Sequence, residues 1–178
     1  MKVYAALDAA LPLAATPSSV ARIEALGYDG VHIPETTHDA FMVALLAVQH
    51  STRLAVRTSV AVAFPRSPMV VANAAWDLAA LSGGRFSVGL GTQVRGNIER
   101  RFSTLWSPPV PRMREYVLSL RAIWHSFQTG DPLDFRGEHY QFTRLQSAFN
   151  PGPIAHPRIP IYLGAVGSEM CSMAGAVA

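Results

Sequence analysis

Short Val- and Ala-rich runs alternate along this chain with helices, two of them opened by a hydroxyl residue followed by proline, and few architectures accept that rhythm. Lys2–Leu7 reads as a first strand, Asp29–Glu35 as a second, Arg53–Phe64 as a third, Arg85–Gly91 as a fourth and Ile159–Leu163 as a fifth. Thr16-Pro17 and Ser67-Pro68 each set a hydroxyl where it can cap a helix and a proline where its fixed φ suits the first turn. The first helix shows Val20, Ile23 and Leu26 on one face and ends at Gly27; Ala40–His50 is apolar nearly all round. The helix from Ser67-Pro68 runs to Leu81 and stops at Ser82-Gly83-Gly84. From Met113 onward, Tyr116, Val117, Leu120, Ile123, Trp124 and Phe127 keep helical spacing up to Thr129-Gly130, and Ser168–Ala178 begins a further helix. This order demands parallel strands joined by right-handed crossovers, which open doubly wound sheets and closed barrels both satisfy. We read residues 1–178 as a single domain. Within it 131–157, punctuated by Pro132, Gly137, Pro151 and Pro157, forms a loop and hairpin insertion (Leu133–Phe135 with His139–Phe142) before the fifth strand.

Composition narrows the class. Of the 178 residues 49% are hydrophobic and 15% charged, enough for a real core and incompatible with intrinsic disorder. Mean hydropathy is high at +0.19, yet no stretch approaches the ~20 apolar residues of a membrane span. Met1-Lys2 followed by Val3–Ala15 has the outline of a signal peptide. Asp8 interrupts it, so we read a strand and its loop. Cys171 stands alone, which rules out an internal disulfide and points to a reducing, cytoplasmic setting. The net charge of +3 comes from arginine, Lys2 being the only lysine. The cluster Arg95–Arg101 is too small for a nucleic-acid face, so the expected partner is a small molecule.

Three stretches carry a resemblance. They are Arg57–Pro68 (RTSVAVAFPRSP), Leu78–Thr92 (LAALSGGRFSVGLGT) and Ile159–Gly167 (IPIYLGAVG), in that order, with the long amphipathic helix and the hairpin between the second and third. Together they resemble the bacterial-luciferase-like superfamily, and more closely its branch that uses the deazaflavin coenzyme F420. Ser82-Gly83-Gly84-Arg85-Phe86 leading into Gly89-Leu90-Gly91 is the most specific piece. The resemblance covers the whole chain and implies an α/β fold of (β/α)8 TIM-barrel type, typically ~250 residues. This chain would then supply strands 1 to 5 only. An incomplete barrel leaves two strand edges unpaired, which would encourage homo-oligomer formation.

The same resemblance implies an oxidoreductase or monooxygenase chemistry: hydride transfer between coenzyme F420, or FMN as the alternative, and a small organic substrate, at the carboxyl ends of the strands. It implies a bulge in the third strand with a cis peptide at Ser59-Val60 behind the cofactor ring, and hydrogen bonds to the cofactor from the Gly91-Thr92 segment and Asn97, for which a plain capping role is the competing reading. Gly96 lies too far from Gly89-Leu90-Gly91 for a dinucleotide fingerprint. Val94 stands where some relatives carry a carboxylate. The loop Gly164–Gly167, through Val166 and Gly167, would seat phosphate ahead of the helix at Ser168. Phe64 and Arg66 would wall the substrate pocket. In the polar cluster His32–Asp39, His38 is the candidate proton donor or acceptor, because imidazole titrates near neutrality, and Glu35 would orient it or touch the ring. Helix capping by Thr37 or Asp39, with His38 merely exposed, explains the cluster equally well. Two rivals remain. One is a non-catalytic flavin-binding incomplete barrel. The other is a metal-dependent barrel hydrolase using His32, Glu35 and His38, although that spacing is not the helical H-E-x-x-H arrangement of zinc proteases.

Overall fold

The computed structural model describes residues 1–178. In chain order the elements are β1 (Tyr4–Ala6), α1 (Thr16–Ala25), β2 (Gly30–Ile33), α2 (Ala40–Gln49), β3 (Ala55–Thr58), β4 (Ala61–Val62), α3 (Pro68–Leu81), β5 (Phe86–Gly91), α4 (Arg95–Arg100), α5 (Pro109–Thr129), β6 (Phe135–Arg136), β7 (Gln141–Phe142), β8 (Ile161–Leu163) and α6 (Ser168–Val177). Apart from the antiparallel β6–β7 hairpin, every pairing is parallel: β1 with β2, β2 with β3, β3 and β4 in succession with β5, and β8 with β5. The five expected strand positions are therefore present as one sheet. β1 and β8 lie at its two ends, each paired on one side only.

Side chains alternate across this sheet because successive residues of a strand point to opposite faces. Val31, Ile33, Val56, Thr58, Phe86, Val88 and Leu90 are almost wholly buried on the helix side. His32, Arg57, Ser87 and Tyr162, in register on the other side, are only partly covered or exposed. There Tyr4 lies 5.0 Å from the His32 ring, and the Arg57 guanidinium sits 3.4 Å from the centre of the Tyr162 ring. The predicted face of α5 is buried as expected, from Met113 to Phe127, and Trp124 Nε1 donates to the Ala72 carbonyl at 3.1 Å to lock α5 onto α3.

Several expected boundaries move. Thr16 does not cap α1; a 3-10 turn at Leu13–Ala15 runs straight into the helix, so Thr16 is its first residue and Pro17 its second. Ser67 does cap α3, accepting the Met69 N–H, and Asp39 caps α2, accepting the Phe41 N–H at 2.8 Å. Helix α4 was not expected, and α5 begins at Pro109 rather than Met113.

The third strand is broken where the family resemblance implies a bulge. Arg57 is opposite Ser87 and Ala61 is opposite Leu90, so three residues (Thr58, Ser59, Val60) face two (Val88, Gly89). One extra residue in a strand makes a bulge and bends the chain out of the ladder. The Thr58 hydroxyl fills the gap: it donates to the Gly89 carbonyl and accepts the Gly89 N–H, both at 2.8 Å. A Cβ on Gly89 would collide with the Thr58 carbonyl oxygen, so only glycine permits this approach. The Ser59-Val60 peptide is cis.

At the opposite, amino-terminal end of the strands, the Ser-Gly-Gly-Arg-Phe run holds elements together. Ser82 Oγ accepts the Phe86 N–H at 3.0 Å, while Arg85 donates to the Leu54 carbonyl at 2.7 Å and to the Ser51 carbonyl at 3.1 Å. Glu24 accepts the N–H groups of Thr52 (3.0 Å), Arg53 (2.7 Å) and Leu54 (3.3 Å), tying α1 to the start of β3. Glu115 does the same for the hairpin through the N–H groups of Glu138, His139 and Tyr140.

Thr58→Val, which keeps shape but strands two buried polar groups of Gly89, should lower stability by about 1–3 kcal/mol in urea unfolding. Gly175→Ala, where an added Cβ meets nothing within 4 Å, should leave the midpoint unchanged or raise it. Equal midpoints for wild type and Thr58→Val would contradict the bridging role.

Candidate functional site

At the carboxyl ends of β2, β4, β5 and β8 an open cleft of about 440 Å³ is lined by twelve residues from four loops. That volume lies within the roughly 300–1,000 Å³ of small-molecule sites. Its floor is the bulge. Val60 projects toward Gly91 and Gly164; a Cβ on Gly91 would come within 2.5 Å of Val60 Cγ2, and one on Gly164 within 3.7 Å of Val60 Cγ1. These glycines let the Val60 side chain lie against the strand ends, and Val60, Val62, Val94 and Val166 supply the apolar part of the lining. Ser59, Thr36, Thr92 and Gln93 supply polar groups around it. Gln93 is held in the left-handed region (φ 60), its side-chain oxygen accepting the Val94 N–H at 3.0 Å. The loop from Gly164 leads into α6, whose N-terminus has no side-chain cap; Gly167 precedes it at φ 88, and Glu169 sits in the first turn.

Glu35 lines the cleft but is not free. Its side chain is 8% exposed and faces Arg66 in a two-pronged ion pair, Oε2 accepting Arg66 Nη1 at 2.9 Å while Oε1 meets Nη2. Oε2 also accepts the Val62 N–H at 2.6 Å. Arg66 Nη2 reaches Asp39 as well, at 2.6 Å, so that both carboxylates share one guanidinium. Burial alone would raise the Asp39 carboxyl's pKa, but the hydrogen bonds from Arg66 and the Phe41 N–H outweigh it and hold the group below its ordinary 3.8.

The remaining expected site residues divide. Ser59, Val60, Gly91, Thr92 and Val166 line the cleft, with Glu35. His38 does not: because Asp39 caps α2, the chain turns His38 into a separate small groove with Leu7, Asp8 and Leu11. Asn97 is on α4 and Gly167 is the α6 cap, both outside the cleft lining. Phe64 is a core residue, 3% exposed beneath Arg112, whose guanidinium lies 4.3 Å from its ring centre, and Arg66 is consumed by its two carboxylates; neither walls the cleft. The three residues of the metal alternative do not converge. His32 lies against Tyr4 on the inner sheet face, Glu35 is paired with Arg66, and His38 is in its own groove. Three groups of metal-ligand type do gather at Glu115, Glu138 and His139, but the Glu115 oxygens are already occupied by backbone N–H groups. Thr36, Val62 and Gln93 line the cleft and were not anticipated. The signal for Gln93 was its place directly after the Gly-Leu-Gly-Thr strand end.

This chain matches the luciferase-like monooxygenase family over residues 2–178. It belongs to that family. It is 45% identical over 174 residues to an uncharacterized protein of Mycobacterium tuberculosis, covering 97% of this chain and 51% of that protein. A putative coenzyme F420-dependent oxidoreductase of the same organism is 32% identical over 169 residues, with 89% of this chain and 47% of the relative covered. Among solved structures, an F420-dependent secondary alcohol dehydrogenase in complex with an F420–acetone adduct superposes with a TM-score of 0.81 at 22% identity, covering 99% of this chain and 56% of that one. The chain thus spans about half the length of the relatives it matches, and its five strands are part of a luciferase-like TIM barrel. No helix is long and apolar enough to cross a membrane.

The Asp39 shift carries a sign. Its folded pKa is depressed, so its contribution to stability is complete at neutral pH and is lost as pH falls through the folded value, below 3.8. Asp39→Asn should therefore flatten the acid limb of the stability–pH curve below about pH 4. Identical acid limbs for the two proteins would rule the pair out as a source of acid sensitivity.

Proposed function

We propose that this chain is the cofactor-holding part of an F420-dependent oxidoreductase, with FMN as the alternative cofactor, acting on a small organic substrate in the cytoplasm and folding as one domain. The observation that carries this reading is the cleft floor: Val60 on the bulge lies against the strand ends at Gly91 and Gly164, where a Cβ on Gly91 would collide with Val60 Cγ2. Glycine at 91 lets the Val60 side chain lie close against the strand end, which keeps the floor low enough for a flat ring. When bound, coenzyme F420 supplies a two-electron hydride couple. The chain's own residues do the positioning. Ser59 and Val60 would support the ring, Thr36, Thr92 and Gln93 would offer it hydrogen bonds, and the Val166–Gly167 turn would present the α6 N-terminus to an anionic tail. The similar protein of M. tuberculosis named as a putative F420-dependent oxidoreductase supports the cofactor choice.

One observation favours a second reading, a flavin binder that does not turn over. The only titratable group lining the cleft is Glu35, already held by Arg66. Proton transfer would have to come from substrate, solvent or a group on another segment.

Mixing the purified chain with F420 and, separately, with FMN and then desalting should leave F420 absorbance with the protein. Gly91→Val should weaken retention about five- to 150-fold, as expected when a branched side chain overpacks a fitted surface by about 1–3 kcal/mol. Loss of both cofactors by the wild type, or undiminished retention by Gly91→Val, would overturn the assignment. Retention without bleaching of the bound cofactor on addition of small alcohols selects the binding-only reading.

A further inference from the structure

The ladder leaves an accounting problem at Val62. Strand β2 ends at Ile33, and its last backbone contact with the third strand is the Ser59 N–H donating to the Ile33 carbonyl at 2.7 Å. Beyond the bulge, Ala63 N–H still pairs with the Gly91 carbonyl on β5 at 2.9 Å. Val62, one residue earlier, therefore directs its N–H and C=O to the other side, where β2 no longer runs. Val62 is 3% exposed, and buried backbone groups are almost never left unpaired. Two side chains take the place of the missing strand. Glu35 Oε2 accepts the Val62 N–H at 2.6 Å, and Arg66 Nη1 donates to the Val62 carbonyl at 2.8 Å. Each of the two is also bound to the other. The clamp is anchored outside the sheet: Asp39 at the head of α2 holds Arg66 Nη2 at 2.6 Å, and the Tyr116 hydroxyl on α5 donates to the Arg66 carbonyl at 3.1 Å.

We propose that Glu35 and Arg66 are positioning residues of the cofactor cleft, an ion pair that replaces a β-strand and fixes the Val60–Val62 wall by gripping Val62 at both of its backbone polar groups. The ligand identity rests on the function proposed above; the clamp does not. Ion pairs of this kind are charge-assisted and directional, so the grip is short-range and specific to the guanidinium fork. Glu35 acts through Val62 and Arg66 rather than as an acid or base, and Arg66 reaches the cleft only through the backbone it holds.

The test uses the full chain and two readouts. Amide exchange followed by NMR should show the Val62 N–H exchanging at least tenfold faster in Glu35→Gln and in Arg66→Met than in wild type. The Val56 amide, which donates to the Arg85 carbonyl at 3.0 Å far from the clamp, should keep its protection. In parallel, titration with F420 and with FMN should show affinity weakened at least tenfold in Arg66→Met and partly restored in Arg66→Lys, which keeps the charge but only one prong. Arg95→Met, which removes an exposed ion pair with Glu99, should change neither readout. Unaltered Val62 exchange in both variants overturns the clamp. Faster exchange with unaltered affinity overturns the positioning role. If wild type binds neither cofactor the proposed function fails, while the exchange measurement still decides the clamp. Should Arg66→Met lose protection at Val56 as well, Glu35→Gln and Arg66→Lys carry the same comparison.

Discussion

One mismatch of count governs this molecule: three residues of the third strand stand against two of its neighbour. Regular pairing cannot absorb the surplus, so the ladder opens between Arg57 and Ala61. Each notable feature nearby answers a group that the opening sets loose. The Thr58 hydroxyl bridges both backbone groups of Gly89; Gly89 has no Cβ because the Thr58 carbonyl occupies that space; Val60 is turned across the floor; and Val62 emerges with its polar groups facing a strand that has ended. Hydrogen-bond satisfaction, rather than apolar burial, sets the shape of this end of the sheet.

The two ends of the strands are built on different principles. At the amino-terminal end, Ser82, Arg85 and Glu24 bind backbone groups of the turns around residues 51–54 and 86. The motif that most strongly marks the family in the sequence is therefore structural. At the carboxyl end the loops stay open, glycines keep the surface low, and the polar side chains are short. The proposed cofactor place is lined by residues that are individually unremarkable.

What the sequence made legible follows the same division. The apolar period from Met113 to Phe127 is a local property, and the helix it announces is buried on that face. The order of strands and helices likewise gave the parallel sheet. Taken alone, the residues of the third strand read as continuous, because Val and Ala at alternating positions record burial and say nothing of register; the bulge at Ser59-Val60 was legible only through the family resemblance. Thr16 resembled a cap because a hydroxyl before proline usually is one, but a preceding 3-10 turn already supplied the helical geometry. His38 was misplaced for a related reason: lying past a strand end does not fix which way a side chain turns, and here the capping role of Asp39 decides it. Pairing of Glu35 with Arg66 spans 31 positions and two strands, beyond any local pattern.

The inner sheet face has a consequence of its own. His32 Nε2 and Arg57 Nε are shielded from solvent with no hydrogen-bonding partner, and the Arg57 cation rests on tyrosine rings rather than on a carboxylate. Covering such a layer with hydrocarbon alone would isolate a charge at a cost of several kcal/mol. Whatever layer packs on this face must offer partners to these two atoms or leave them unpaired.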